Sequence, residues 1–108
     1  ATDLRLGARP LHNSARQGHV AVSELLIRHG ADLDARTLHG DVALHLAATE
    51  GHSALVALLL KYRARFDIKD SEGRTPVQRA EENGHEDVVE IMRKYLTDEW
   101  PYLRLVNG

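Results

Sequence analysis

The stretch DVALHLAATEGH, residues 41–52, places two histidines, a threonine and a glutamate in one short segment near the middle of the chain. By itself it reads either as a metal-binding or catalytic cluster or as scaffold. The flanking sequence separates the two. ARPLHNSARQGH begins at Ala8, DVALHLAATEGH at Asp41 and RTPVQRAEENGH at Arg74, each start 33 residues after the one before. The register holds column by column without a gap. Gly7, Gly40 and Gly73 align, as do Gly18, Gly51 and Gly84, and His19, His52 and His85. Leu25, Leu58 and Ile91 form an apolar column, with Leu26, Leu59 and Met92 beside it. HGADLDAR at 29–36 answers YRARFDIK at 62–69. Such a period marks stacked units, each too small to bury its own apolar faces.

Each unit reads as turn, short helix, turn, longer helix. The glycines at 7, 40 and 73 permit a turn before the first helix. Pro10 and Pro76 suit a first helical position, where no backbone N–H is needed. Thr75 can cap the helix that follows. Ala15, Ala47, Ala48 and Ala80 are small enough to let neighbouring helices approach, and Gly18, Gly51 and Gly84 end the first helices. The second helices carry apolar residues at helical spacing: Val22, Leu25 and Leu26; Leu55, Leu58 and Leu59; Val88, Ile91 and Met92.

Bulk properties narrow the class. A chain of 108 residues suits one domain, and 43% hydrophobic content sustains a core. Aromatic content is only 5%, so that core is aliphatic. The net charge of −2, with no basic block, argues against nonspecific attraction to nucleic acid or an anionic membrane. No apolar run approaches the ~20 residues that span a bilayer. The absence of cysteine excludes disulfides and thiolate metal sites. With no signal-peptide pattern, an intracellular location, cytoplasmic or nuclear, is expected. The chain opens on ATDLRLGARP without an initiator Met, and a segment of a longer protein is expected.

These columns resemble the ankyrin repeat, a period of 33 residues with the signature T-P-L-H-x-A. The residues that carry the resemblance are Pro10-Leu11-His12, Ala43-Leu44-His45 with Ala47-Ala48, Gly30-Ala31-Asp32, and Thr75-Pro76 with Gly84-His85. The resemblance implies an all-α solenoid of three units, about 4–36, 37–69 and 70–96, with short hairpin-like turns. Residues 97–108 follow as a tail. Departures from the pattern are Arg9 for Thr, Val42-Ala43 for Thr-Pro, Gln78 for His, and Arg63 for the glycine that follows the second helix. They weaken local capping and leave the fold assignment intact. A left-handed Arg63 would cost roughly 1 kcal/mol relative to glycine.

The resemblance gives the histidines structural work. It implies that His12 and His45 link neighbouring turns by hydrogen bonds, and that His19, His52 and His85 sit where two helices meet. Zn–N bonds are about 2.0–2.1 Å, whereas packed helices lie about 8–10 Å apart, so column histidines are not expected to share an ion. His29 and His39 fall outside the columns and read as solvated. Ser14, Ser23, Ser53 and Ser71 lack a nucleophile motif, and no phosphate-binding or dinucleotide fingerprint occurs. Glu81 and Glu82 diverge on their helix. No enzyme, metal or cofactor is expected.

Function is expected on the concave face, which the resemblance assigns to the turn tips and the exposed side of the first helices. The tips supply Arg36, Leu38, His39 and Asp41, then Lys69, Ser71, Glu72 and Arg74. The helices supply Asn13, Arg16 and Gln17; Leu46, Thr49 and Glu50; Arg79, Glu82 and Asn83. Basic and acidic residues alternate there, which favours a polar protein or peptide partner over nucleic acid. The expected activity is noncatalytic recognition by a monomeric adaptor or scaffold. Two narrower readings stand beside it. GRTPVQRAEENGHEDVV at 73–89 is similar to the final repeat of ankyrin-type cyclin-dependent kinase inhibitors, and the chain could also be the targeting segment of a larger enzyme.

The two ends differ. Glu86, Asp87, Glu90, Arg93 and Lys94 suit a terminal helix facing water, and Trp100, Tyr102, Leu103 and Leu105 are expected to fold back as a cap over the last repeat, with packing on a following domain as the alternative. The first unit has Val20, Val22 and Ile27 on its second helix and no evident polar cap, which implies a preceding segment.

Overall fold

The computed structural model describes residues 9–99, with side chains through Tyr95. Six helices follow one another: α1 Pro10–Gln17, α2 Val20–Arg28, α3 Ala43–Glu50, α4 Ser53–Lys61, α5 Pro76–Glu82 and α6 Glu86–Glu99. No strand occurs among the described residues. The expected first-unit start at Leu4, the turn at Gly7 and the C-terminal cap of Trp100, Tyr102, Leu103 and Leu105 lie outside the described residues.

The first helices α1, α3 and α5 pack side by side in one layer, and the second helices α2, α4 and α6 in another. Each helix also packs on its partner within the unit. Pro10 and Pro76 open α1 and α5. Thr75 caps α5, its Oγ1 accepting from Gln78 N–H at 3.4 Å while Gln78 Oε1 accepts from Thr75 N–H at 2.9 Å. Arg9 and Val42, at the same position of α1 and α3, have no side-chain cap. Gly18 and Gly51 turn left-handed with φ of 75° and 76° and close the first helices.

The core is aliphatic, as the composition requires. Leu44, Leu55, Leu59, Leu60 and Val56 in the central unit are fully buried, with Val88 and Met92 beside them in the third. A fully buried side chain of this kind contributes about 1.5–3 kcal/mol by leaving water. The first unit departs from expectation. Val22 and Leu25 are 49% and 57% exposed, whereas Leu55 and Leu58 in the same columns are 0% and 8% exposed. The periodic pattern marks a stacking face, and among the described residues nothing stacks on this one. Arg63 is left-handed, with φ of 71°, in the column of Gly30 at 94°. In the third unit the helix does not stop there but runs to Glu99, because no breaker occurs before Pro101.

Candidate functional site

The turn tips singled out by the sequence are two turns that share one design. Thr37 N–H donates to Asp41 O at 2.9 Å and Gly40 N–H to Thr37 O at 2.9 Å. In the next unit Asp70 N–H donates to Arg74 O at 2.8 Å and Gly73 N–H to Asp70 O at 2.9 Å. A short buried side chain holds each turn from within. Thr37 Oγ1 accepts from His39 and Asp41 N–H at 3.2 and 3.3 Å, and Asp70 Oδ1 accepts from Glu72 and Arg74 N–H, both at 2.9 Å. The turns are also joined to each other. Ser71 N–H donates to His39 O at 3.0 Å, and Arg36 Nη2 donates to Lys69 O at 2.9 Å.

Beneath the turns lies a buried charge cluster. Arg79 Nη1, from α5, donates to Asp41 Oδ1 and Asp70 Oδ2, both at 2.8 Å. Arg74 pairs with Glu72 and Glu82. Burial opposes ionisation of Asp70. The Arg74 N–H, the Arg79 guanidinium and the Glu72 N–H outweigh it and hold the carboxyl below its ordinary range. Together His39, Asp41, Asp70, Ser71, Glu72, Arg74 and Arg79 line a polar concavity of about 280 Å³.

Histidines carry the platform from unit to unit. His12 Nδ1 accepts from Arg9 N–H at 2.8 Å, and its Nε2 donates to Ala35 O at 2.8 Å. His45 Nδ1 accepts from Val42 N–H at 3.0 Å, and its Nε2 donates to Arg74 O at 2.9 Å. One ring thus stands in for a missing cap and fixes the next turn. Burial lowers the pKa of His45 against the pull of the Arg74 carbonyl. The second column satisfies carbonyls that a helix end leaves unpaired. His52 Nε2 donates to Arg16 O at 2.9 Å, and His85 Nε2 to Thr49 O at 3.0 Å. The rings pass so close to the preceding helix end that a Cβ on Gly18 or Gly51 would lie 2.7 or 2.6 Å from Nδ1. Gln78 replaces histidine where no following turn is described, and keeps only the local bond to Thr75.

The sequence-based site residues separate into two groups. Leu38 is 71% exposed at a turn tip, flanked by exposed Arg36 and His39. Lys69, Ser71, Glu72 and Glu82 are exposed as well, and Arg74 and Thr49 are half-buried, with the Thr49 hydroxyl donating to His45 O at 2.7 Å. Three placements are corrected. Leu46 is only 6% exposed and joins the core, because α3 is covered by units on both sides. Asp41 is 8% exposed, and its carboxylate is taken up by Arg79, whose own side chain is 15% exposed. Thr37 and Asp70 were missed altogether. Their signal was a short polar acceptor three residues before the turn glycine in both units, the pattern of a type I turn. Ser14 and Ser23 bond each other at 2.8 Å inside the first unit, and the Ser14 hydroxyl also lies 3.2 Å from Leu11 O. Among the described residues no three of His, Asp and Glu gather as a metal site.

The class defined by this geometry is a stacked helical-repeat protein with a rigid row of turns. A family model of ankyrin repeats in three copies matches residues 11–99, and the chain belongs to the ankyrin-repeat family. Ankyrin repeats are generally protein–protein interaction modules and typically noncatalytic. No significant match occurs among curated proteins. Among the described residues no helix is long and apolar enough to cross a membrane.

Proposed function

We propose that the chain is a noncatalytic adaptor that binds a partner protein through its turn tips, with Leu38 as the apolar anchor. The observation that carries this is Leu38 itself, a large side chain 71% exposed on a turn whose every strut is buried or hydrogen-bonded. Holding an apolar residue out on a rigid support lowers the ordering cost of binding. Arg36, His39, Ser71 and Lys69 form a polar rim around it, and few such anchors carry most of an interface's energy. Asp41, Arg79 and Asp70 act one step back, as the support that fixes the tips.

A photo-crosslinking residue at position 38 captures the partner from cells that express the protein, and titration with the purified partner measures the affinity. Leu38→Ala combined with Arg36→Ala is expected to weaken binding by more than about tenfold, or ~1.4 kcal/mol. Lys61→Ala, on the outer helix layer, should bind normally. Normal binding by the double variant, with loss on changing Trp100 or Tyr102, would move recognition to the C-terminal segment. The narrower readings are decided by the captured protein: a cyclin-dependent kinase supports an inhibitor, and an enzyme chain continuous with this one supports a targeting segment.

A further inference from the structure

The linkers that leave α2 and α4, residues 29–42 and 62–75, meet different neighbours. The first is covered by the second: Arg65 N–H donates to Asp34 Oδ1 at 3.1 Å. The second has no such cover among the described residues. Asp98, 33 residues after Arg65, stands in α6, which runs on to Glu99, whereas α4 stops at Lys61. Asp67, in the column of Asp34, bonds the Arg65 side chain instead, at 3.3 and 3.2 Å. The result is an open groove of about 350 Å³ between the second and third units. Leu60 and Ala64, 1% and 5% exposed, lie deepest in it. Phe66 and Tyr95 stand half-buried as its walls, and Arg65 and Asp67 are exposed at its rim.

We propose that this groove is an intramolecular docking site, and that its occupant is the segment 100–106 of the same chain. Continuity with the interface one unit back is the first argument. A linker in register with 64–68 spans 97–101, but α6 takes that stretch as far as Glu99, so the cover comes from the residues that follow. Reach is the second. Tyr95 is already a wall of the groove, and Glu99 lies about 6 Å farther along the helix. Pro101 biases Trp100 out of the helical conformation, so the chain turns there. Five residues from Pro101 then extend about 16 Å, more than enough to come back to the level of Tyr95. Chemistry is the third. Between Trp100 and Val106 only Arg104 is charged, and Trp100, Tyr102, Leu103 and Leu105 offer apolar area to an aliphatic floor between aromatic walls. The outer face of the third unit is a poor match, because Glu81, Glu86, Glu90 and Arg93 line it. Occupation ties the end of α6 to the central unit through residues that are not repeat-like.

Trp100 is the single tryptophan, so its fluorescence reports on the segment directly. In the full chain its emission is expected on the blue side, with iodide quenching several-fold weaker than for a free indole. Leu103→Asp combined with Leu105→Asp puts two charges into the segment and leaves the helices untouched. It should shift the emission to the red, raise quenching to nearly the free value and speed hydrogen exchange of the 64–68 amides by about tenfold. Phe66→Ala removes a wall of the groove. It should raise quenching in the parent chain and add nothing in the double variant. Should Phe66→Ala unfold the repeat, the quenching and exchange changes of the double variant still decide the matter. Three results would overturn the proposal. Quenching of Trp100 in the parent chain as in a free indole leaves the groove without this occupant. Faster exchange in α5, with 64–68 unchanged, moves the segment to the outer face of the third unit. Sedimentation with the parent chain dimeric and the double variant monomeric gives the groove to the segment of a second copy.

Discussion

The central unit and the third unit carry the same columns, yet the same positions behave differently in each. His45 bridges Val42 N–H and Arg74 O, while Gln78 bonds Thr75 alone among the described residues. Gly51 lies against the His85 ring, and Gly84 faces open space. Their backbones are alike, with φ of 76° and 74°. A repeat residue therefore does two jobs, one inside its own unit and one toward a neighbour, and the second exists only where a neighbour stands. Stability in such a stack is the sum of unit and interface terms, and the interface terms belong to pairs.

Substitution within one column tests that division. The largest effect is expected at Leu58, 8% exposed between two units, where Leu58→Ala should cost ~2–4 kcal/mol in denaturant unfolding. Leu25→Ala, in the same column but 57% exposed, should cost under about 1 kcal/mol. Equal losses at both positions would erase the distinction between enclosed and end units. Next come the helix-end glycines. Gly51→Ala and Gly84→Ala both force alanine into a left-handed conformation, at roughly 1–2 kcal/mol. Gly51→Ala must also displace His85 and its bond to Thr49 O, so it should exceed Gly84→Ala by about 1 kcal/mol.

His45→Gln sharpens the comparison by giving the central unit the residue of the third. Glutamine can keep the local bond to Val42 N–H but not the reach to Arg74 O, and leaving that carbonyl unpaired should cost about 1–3 kcal/mol. The variant also changes the response to acid. Burial first of all depresses the pKa of His45 below its ordinary 6.5, so the unfolded chain takes up the proton more readily. Its contribution is then full above pH 6.5 and falls as pH drops through the folded value. In the His45→Gln variant that part of the decline should vanish, while loss at lower pH, where Asp70 protonates, remains. The smallest effect is expected at Arg63→Gly. Relief of the left-handed arginine is offset by the greater freedom of glycine in the unfolded chain, and the midpoint should move by less than the equivalent of about 0.5 kcal/mol. A clear loss would show that the exposed Arg63 side chain holds its turn.

The repeat period, the six helices, Thr75 as a cap and the left-handed Arg63 were legible in the sequence. The period and the helices rest on local preferences repeated three times, and repetition makes a weak signal strong; Thr75 and Arg63 were read at single positions, from residue chemistry and from the matching Gly30. The direction of the histidines was legible only through the family resemblance. The placement of the candidate surface residues was legible in outline alone. Asn13, Leu46 and Arg79 occupy one column and vary as solvent-facing residues do. Leu46 is nevertheless in the core and Arg79 is locked between Asp41 and Asp70, partners 38 and 9 residues away. Leu38 and Leu25 are both exposed leucines, but one tops a braced turn and the other lies in an apolar helix column on which nothing packs among the described residues. Sequence fixes what each residue can do within its own turn of helix, because those forces act over a few residues. Burial, ion pairing and the second job of every column depend on which unit lies alongside, and only the tertiary arrangement decides that.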